Sequence, residues 1–536
     1  MRRLAAGVCL GFFGLAAAWG QQAAGSAKCA DLAKLALPHT TITRSELAEA
    51  GKFSSPVGEK DKDPIYGKLP AFCRVTAEAH PSADSRIAIE VWLPIEGWNG
   101  RFLGVGNGGF AGQIDFHHLA VAVQSGYATA GTDTGHAAPG TDAAWALGHP
   151  EKIADFGYRG VHEMSLTGEA VAQAFYGRAA GHRYFAACSD GGREALMEAQ
   201  RFPGDYDGIL AGAPAYNWTH LVSSALFLVQ SLEAQPGSYI PAAKLPAISA
   251  AVLAKCGRDT SPGFLDDPRQ CQFDPTTLLC KASEDDRCLT AAQVKALKDI
   301  YEGAHTRDGK AVNYGLLPGA ELGPGGWELW ITGSTEGKSL ADAFGGGYFE
   351  NMVYGKAGLD IKKLTLDEAL KQAIARTSGT LDAVNPDLSA FSAHGGKLIL
   401  YHGWNDPAIP SRGTVDYFNR VVAAAGEAKA SEFARLFMVP GMQHCSGGPG
   451  ATGFGQGGPT LDAALDNPEH NIYRALESWV ETGTAPEKMI AQKVDEQGGK
   501  PAVIFSRPLC PYPQAAAYSG AGDRNDAASY SCSLPK

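Results

Sequence analysis

The chain has few basic side chains, and they are nowhere concentrated. Its 536 residues include 46 lysines and arginines against 57 aspartates and glutamates, which gives a formal net charge of −11. Binding to nucleic acid or to an anionic membrane surface relies on clustered Lys and Arg. The lack of such a cluster argues against both kinds of partner and favours a small molecule.

Beyond its N-terminus the chain also lacks an apolar run long enough to span a membrane. At the N-terminus, Arg2 and Arg3 precede the apolar stretch Leu4–Trp19. This pattern predicts a signal peptide over residues 1–20, with Gln21 as the first mature residue. A membrane anchor is the alternative, although the stretch is short for crossing a bilayer. We expect a secreted or periplasmic protein that has no membrane contact after cleavage.

Close cysteine pairs of the CxxC type are absent as well. The chain has eleven cysteines, and Cys9 lies in the predicted signal peptide. The even number that remains in an exported chain indicates disulfide bonds. Zinc is the competing interpretation, but neither the cysteine nor the histidine spacing is typical of a zinc site. The mature cysteines are Cys29, Cys73, Cys188, Cys256, Cys271, Cys280, Cys288, Cys445, Cys510 and Cys532.

Short apolar runs alternate with helical patterns in the first part of the chain. Runs typical of strands lie at residues 86–94, 101–106, 127–132, 183–187 and 209–213, and they return at 397–401 and 435–439. This alternation predicts an α/β fold with a mostly parallel sheet and helices on both faces. The pattern fades between the two groups of strands. We predict a core formed by residues 21–215 and 393–536, with an inserted lid over residues 216–392.

Ser189 lies between a predicted strand and a predicted helix, in the run Ala187-Cys188-Ser189-Asp190-Gly191. A hydrolase nucleophile needs such a sharp turn, and small residues on both sides relieve the crowding. Here Ala187 replaces the first Gly of the G-x-S-x-G pattern. The alternative is an ordinary strand-to-helix turn of an α/β protein.

Two further side chains follow predicted strands in the order that a Ser-Asp-His triad requires. Asp406 follows the strand KLILY, and His444 follows the strand RLFMV. In the predicted two-step acyl transfer, Ser189 attacks an ester carbonyl, His444 moves the proton, and Asp406 orients the imidazole. His402 competes for the role of base. Because it precedes Asp406, we interpret it as a structural or substrate-contacting histidine.

The oxyanion of this reaction needs two backbone N–H donors. One is expected from Asp190, the residue after the nucleophile. The other is expected from the glycine-rich run of residues 106–109, in which we select Gly108. A phosphate-binding loop is the alternative interpretation of this run, but no Lys-Ser or Lys-Thr follows it.

Cysteines adjoin both the predicted nucleophile and the predicted base. Cys188 precedes Ser189, and Cys445 follows His444. If the two catalytic side chains form a hydrogen bond, their neighbours can reach the Cα separation of a disulfide. A bond between Cys188 and Cys445 would join the two catalytic loops.

Together these motifs resemble the tannase/feruloyl esterase family, which also includes the enzyme hydrolysing mono(2-hydroxyethyl) terephthalate. The resemblance rests on the runs CSDGGR at 188–193, HGWNDP at 402–407 and His-Cys at 444–445, and it covers nearly all of the mature chain. It implies an α/β-hydrolase core with a lid between the serine and aspartate segments. It also implies the disulfides Cys29–Cys73, Cys188–Cys445, Cys256–Cys271, Cys280–Cys288 and Cys510–Cys532.

The resemblance also implies a calcium-binding loop in the lid after Cys256. In this chain that loop is shortened, and Asp259 is the only acidic residue where the ligands are expected. Asp266 and Asp267 are assigned to the following turn. Calcium prefers six to eight oxygen ligands. We therefore expect no required cofactor and regard calcium binding as doubtful.

The predicted substrate is an aromatic carboxylic ester of the feruloyl or galloyl type. Aromatic residues among glycines in the lid suit a flat acyl group, although they can equally form the core of the lid. No Arg in this region offers to pair with the free carboxylate of a terephthalate monoester. That substrate, a general carboxylesterase and a non-catalytic binding protein on the same fold are the alternatives, and the oligomeric state is left open. The residues assigned to the substrate pocket are Trp327, Trp330, Phe344, Tyr348 and His402.

Overall fold

The computed structural model describes residues 28–57, 62–233, 235–257, 263–459, 462, 464–495 and 502–535. The predicted signal peptide at residues 1–20 and Asp259 lie outside these described residues. Within them, no helix combines the length and the apolar character needed to cross a bilayer.

Nine of the described strands form one central sheet. They are β1 (Thr40–Ala48), β2 (Phe72–Ala79), β3 (Ile87–Pro94), β4 (Arg101–Val105), β5 (Ala128–Thr132), β6 (His182–Cys188), β7 (Gly208–Gly212), β8 (Lys397–Gly403) and β9 (Ala434–Val439). Their spatial order is β1-β2-β3-β5-β4-β6-β7-β8-β9. The pairs from β1 to β5 are antiparallel, and those from β5 through β4 to β9 are parallel.

The described α-helices are α1 (Phe116–Gln124), α2 (Pro150–Ala154), α3 (Gly160–Tyr176), α4 (Asp190–Arg201), α5 (Trp218–Glu233), α6 (Leu245–Cys256) and α7 (Ala291–Glu302). They continue with α8 (Trp327–Trp330), α9 (Leu340–Gly347), α10 (Leu366–Leu381), α11 (Ser389–Ala393), α12 (Ser411–Ala425), α13 (Glu427–Phe433) and α14 (Ile472–Thr482). Two π-helical turns, Asp155–Arg159 and Tyr348–Val353, directly precede α3 and follow α9.

The side chains of the central strands alternate between two hydrophobic cores. Leu398 and Leu400 of β8 pack on the same side as Val161 of α3, whereas Ile399 packs on the side of Leu119 of α1. Because successive side chains of a strand point to opposite faces, an almost wholly apolar strand is buried on both. The predicted α/β-hydrolase core, a mostly parallel sheet with helices on both faces, is confirmed.

The segment from residue 213 to residue 396, here called the insertion, joins β7 to β8 and contains α5 to α11. Two apolar clusters of its own hold it together, one around Val222 and Leu370 and the other around Leu232 and Leu297. The first cluster also includes Phe110 and Phe156 of the core. The insertion is therefore packed against the end of the sheet where β4 and β6 terminate.

After α14 the chain forms two small antiparallel sheets. The first pairs β10 (Met489–Asp495) with β11 (Ala502–Leu509), and the second pairs β12 (Ala515–Tyr518) with β13 (Tyr530–Ser533). All five predicted disulfides are present: Cys29–Cys73, Cys188–Cys445, Cys256–Cys271, Cys280–Cys288 and Cys510–Cys532. The cysteine pairing implied by the resemblance is thus confirmed.

Candidate active site

Ser189 occupies a sharp turn between β6 and α4. Its φ of 70° and ψ of −124° lie outside the regions that residues other than glycine usually adopt. The Ser189 N–H donates to the carbonyl oxygen of Gly212, 3.0 Å away, which ties the turn to β7. The strained turn leaves the side chain beyond the end of the sheet, as the strand-to-helix motif predicts.

A continuous chain of hydrogen bonds links Ser189, His444 and Asp406. The Nε2 atom of His444 lies 2.8 Å from Ser189 Oγ, and its Nδ1 atom lies 2.8 Å from Asp406 Oδ2. The three side chains come from the turn after β6, the loop after β8 and the loop after β9. Parallel strands end at the same edge of the sheet, so these loops meet there.

Asp406 is buried and accepts several hydrogen bonds. Its Oδ1 atom accepts from the backbone N–H groups of Ala408 and Ile409, at 2.8 and 3.0 Å. Burial alone would raise the pKa of this carboxyl, but His444 and His402 outweigh it and hold the pKa below its usual range. Asp406 is therefore ionised and able to orient the imidazole of His444.

His402 does not border the cavity at Ser189. It is fully buried, with Nε2 3.0 Å from Asp406 Oδ2 and Nδ1 2.8 Å from Thr414 Oγ1. The assignment of His402 to the substrate pocket is wrong, because its ring lies behind the carboxylate and contacts α12. Its structural interpretation agrees with these contacts.

Gly109 and Asp190 border the same cavity as Ser189. Asp190 is the first residue of α4, so its N–H has no acceptor within the helix. The Asp190 carboxylate accepts a 2.6 Å hydrogen bond from the fully buried Arg193. Gly108, chosen from the sequence, does not border the cavity itself and precedes Gly109 in a turn closed by a hydrogen bond from the Ala111 N–H.

An apolar cavity lies between this turn and the insertion. The wall comes chiefly from α5 and from the loops after α7 and β8. Trp330 and Phe344 border it, and their rings stack with centroids 6.2 Å apart. The lining residues that the sequence analysis missed include Val222, Leu228, Ile300, Leu316, Ile331 and Ile409.

Trp327 and Tyr348 do not border the cavity, so these two assignments are corrected. Trp327 is fully buried in the second cluster of the insertion. Tyr348 is fully buried as well, and its hydroxyl lies 2.6 Å from Thr377 Oγ1 of α10. Both side chains pack against other parts of the insertion, in agreement with the alternative interpretation that aromatic residues of this region form the core of the lid.

The Cys188–Cys445 disulfide lies directly beside the hydrogen-bonded Ser189 and His444. The two Cα atoms are 5.9 Å apart, and the two cysteines lie 257 positions apart in the sequence. The loop of His444 has a second attachment, since the side chain of Gln443 donates 2.6 Å to the carbonyl oxygen of Leu322 in the insertion. Both contacts restrict the position of His444 relative to Ser189.

A set of metal-ligand side chains lies away from this site. His162, Glu198 and Asp205 place their ligand atoms within 4.8 Å of one another. Burial and the neighbouring Asp205 raise the pKa of Glu198 well above its usual value. A neutral Glu198 can donate to Asp205, so these side chains can satisfy one another without a cation.

The geometry agrees with comparisons to known proteins. The family model described as tannase and feruloyl esterase matches residues 73–533. The chain belongs to the tannase and feruloyl esterase family. Membership of this family confirms the predicted resemblance and makes the chain a carboxylic ester hydrolase.

Relatives in this family come from bacteria and fungi. An uncharacterized esterase of Xanthomonas campestris pv. campestris is 42% identical over 95% of this chain and 92% of its own length. Feruloyl esterase B of Aspergillus niger is 34% identical, with 86% of each chain covered. The crystal structure of feruloyl esterase B from Aspergillus oryzae has a TM-score of 0.85 at 28% identity, covering 95% of this chain and 100% of that one. The tannin acyl hydrolase of Aspergillus niger has a TM-score of 0.71 at 25% identity, covering 95% of both chains.

Proposed function

We propose that this protein is an exported serine esterase that hydrolyses esters of phenolic acids of the feruloyl type. The observation that carries the proposal is the hydrogen-bonded chain Ser189–His444–Asp406, whose serine borders an apolar cavity. Relatives named feruloyl esterase and tannin acyl hydrolase support the class of substrate. The non-catalytic alternative is disfavoured, because a binding protein has no use for an aligned triad.

In the proposed reaction, Ser189 Oγ attacks the ester carbonyl while His444 Nε2 accepts its proton. When the tetrahedral intermediate collapses, the ester C–O bond breaks and His444 gives the proton to the leaving alcohol. Water then attacks the acyl-enzyme with His444 again as base, which releases the acid and restores Ser189. Asp406 stabilises the imidazolium in both steps. The intermediate's oxyanion would accept from the Asp190 N–H and from the turn containing Gly108 and Gly109.

The cavity favours a feruloyl over a galloyl group. Its wall is mostly apolar, and the polar groups there are largely engaged: the Ser224 hydroxyl donates 2.6 Å to the carbonyl oxygen of Leu221 and accepts from Asn313, Asp190 accepts from Arg193, and Tyr314 is exposed to solvent. A buried hydroxyl without a partner costs about 1–3 kcal/mol. A galloyl ring brings three hydroxyls, whereas a feruloyl ring brings one hydroxyl and one methoxy group. No Lys or Arg lines the described cavity, so a terephthalate carboxylate is disfavoured too.

Two features support export and a covering role for the insertion. Five disulfides are typical of proteins in an oxidising compartment, in agreement with the predicted signal peptide. The insertion supplies most of the cavity wall, so we assign it the role of a lid that selects the acyl group. The proposed chemistry uses no metal ion, and calcium at Asp259 stays a doubtful hypothesis.

The decisive test replaces the proposed nucleophile. Ser189→Ala is expected to abolish hydrolysis of methyl ferulate while leaving the melting temperature within a few degrees of wild type. Ser478→Ala is the matched control, since this serine lies on α14, where its hydroxyl contacts only Thr482 among the partners described. Equal turnover by purified Ser189→Ala and Ser478→Ala would refute the nucleophile assignment.

A substrate panel tests the acyl preference. We expect kcat/KM to be higher for methyl ferulate than for methyl gallate by at least about tenfold, because one unpaired hydroxyl in the cavity is worth that factor. A preference for methyl gallate would overturn the feruloyl assignment and favour the tannase activity of the same family.

A further inference from the structure

Both backbone polar groups of Asn107 form hydrogen bonds to α4. Its N–H donates 2.9 Å to Glu194 Oε2, and its carbonyl oxygen accepts from the Gly191 N–H at 3.0 Å. The side-chain amide of Asn107 donates to the carbonyl oxygens of Gln113 and Thr132, each 2.8 Å away. This residue leads directly into the Gly108–Gly109 turn that borders the cavity.

Glu194 lies on α4, one turn after the nucleophile elbow, and is only 1% exposed. The contact with the loop is close enough that two positions must lack a side chain. A Cβ atom on Gly106 would clash with Glu194 Oε2, and one on Gly191 would clash with the carbonyl oxygen of Asn107. Glycine at positions 106 and 191 therefore allows this carboxyl group to lie directly beside the Asn107–Gly109 turn.

We propose that Glu194 is a positioning residue, which fixes the Asn107–Gly109 turn through the Asn107 N–H so that the turn can donate to the oxyanion. This inference rests on the proposed function, because it assigns the turn a role in the same reaction. Glu194 does not touch the ester in this proposal. It acts through the backbone of Asn107.

The surroundings of Glu194 favour its neutral form. Burial, followed by the negative charge of Asp190, raises the pKa of Glu194 to about 8, although Arg193 and the Asn107 N–H act in the opposite direction. Glu194 Oε1 and Asp190 Oδ2 are each buried without a hydrogen-bond partner in the described structure. The two residues are one helical turn apart, so a proton on Glu194 removes a second negative charge from the neighbourhood of Asp190.

Within the described part of the chain, the charged groups that act on the pKa of Glu194 are Asp190 and Arg193, both on α4. The side of Gly106 that faces Glu194 presents the apolar side chains of Phe185 and Ala187 from β6. On α4 itself, Glu198 is the next carboxyl along, and its own pKa is raised by burial. The ion pair of Asp190 with Arg193 is thus balanced only while Glu194 is neutral.

The proposal predicts an alkaline limb in the activity profile. When Glu194 loses its proton above about pH 8, a negative charge appears beside the Asn107–Gly109 turn. This charge destabilises the negatively charged tetrahedral intermediate. We expect kcat to fall there while KM for methyl ferulate stays nearly constant. Gln at this position keeps an acceptor for Asn107 and cannot ionise.

The experiment compares Glu194→Gln and Glu194→Leu with wild type between pH 6 and 10. Glu194→Gln should retain kcat at pH 7 within about threefold and lose the alkaline limb. Glu194→Leu leaves the Asn107 N–H without an acceptor, so kcat should drop about 10- to 100-fold. The upper figure is the loss of kcat expected when one hydrogen-bond donor to the oxyanion is removed. Glu198→Gln, a buried carboxyl one turn further along α4, is the matched control and should keep the wild-type profile.

Two results would overturn the inference. One is a wild-type alkaline limb in Glu194→Gln, and this measurement decides even if Glu194→Leu does not fold. The other is a folded Glu194→Leu with wild-type kcat. Ser189→Ala assayed in parallel separates failure of the proposed function from failure of this inference. Residual turnover by Ser189→Ala refutes the proposed function. An inactive Ser189→Ala beside an unaffected Glu194→Leu refutes only the role of Glu194.

Discussion

At the residue scale, one carboxylate forms hydrogen bonds with two histidines that have different roles. Asp406 Oδ2 lies 2.8 Å from His444 Nδ1 and 3.0 Å from His402 Nε2. The other ring nitrogen of His444 forms a hydrogen bond with Ser189, whereas that of His402 forms one with Thr414 in the core. The buried histidine therefore acts as a fixed donor that helps to hold the carboxylate in the orientation that His444 needs.

His402→Ala is expected to lower kcat for methyl ferulate by about tenfold, with little change in KM. A hydrogen bond to a charged group contributes about 1.5–3 kcal/mol, so the free energy of unfolding should fall by a similar amount. Thr414→Val, which removes only the outer contact of His402, should have a much smaller effect on kcat. Steady-state kinetics with thermal melts would check both variants, and a folded His402→Ala with wild-type kcat would contradict the assigned role.

The aromatic residues of the insertion show where sequence reasoning stopped at this scale. Phe344 and Tyr348 are four residues apart, which would place them on one face of an α-helix. The backbone changes to a π-helical turn at Tyr348, so the register shifts and this ring meets Thr377 instead of the cavity. Trp327 and Trp330 similarly diverge across the single turn of α8. Composition indicated aromatics in this region, but only the packing decides which of them border the cavity.

At the element scale, the parallel strands were readable because each is short, apolar and closed by a turn. The strand predicted at residues 209–213 is observed as Gly208–Gly212, and that at 435–439 as Ala434–Val439. The first two strands were missed. Most side chains of β1 are at least partly exposed, as expected for an edge strand, and β2 is interrupted by the charged Arg74, which pairs with Glu90 of the neighbouring β3. Neither shows the apolar run that identifies a central strand.

The Cys188–Cys445 bond joins the elbow after β6 to the loop after β9, and its removal should affect catalysis more than folding. In Cys188→Ser/Cys445→Ser we expect kcat to fall at least about tenfold, because small displacements of reacting groups are costly. The melting temperature should also drop, since the bond closes a long loop.

Cys510→Ser/Cys532→Ser is the matched control for that pair. Its disulfide joins two positions of the C-terminal segment, and neither cysteine is a chain neighbour of Ser189 or His444. This variant should keep wild-type kcat, whatever its melting temperature. Equal loss of kcat in both double variants, measured with methyl ferulate at a temperature where both are folded, would show that the bond at the active site has no special catalytic role.

At the scale of the whole molecule, several carboxyl groups are buried with raised pKa values. Burial is the largest cause in each case. The pKa is raised to about 7 for Asp133 and Glu169, and to about 8 for Glu194 and Glu477. In the unfolded chain such groups titrate near pH 4. Between about pH 4 and pH 8 the folded protein therefore binds more protons than the unfolded chain.

This difference predicts that stability falls as the pH rises from 5 to 8, because the state that binds more protons loses relative stability when protons become scarce. His136 acts in the opposite direction, since burial lowers its pKa to about 4 and its unfolded form takes up a proton below about pH 6.5. Burial lowers the pKa of His220 as well, whereas Asp115 raises the pKa of His118 against the effect of burial, so these two histidines act in opposite directions. His136 then offsets about one of the four carboxyl groups, and the net slope stays negative. We expect the melting temperature to be highest near pH 5, to fall by several degrees by pH 8, and to level off above that. Asp133→Asn should flatten the slope, because its neutral amide mimics the protonated acid at every pH and can still accept from the Ala88 and Gly135 N–H groups, whereas the exposed Glu432→Gln should leave it unchanged. Melting curves that rise between pH 5 and pH 8 would contradict the assignment of neutral carboxyl groups to the interior of this protein.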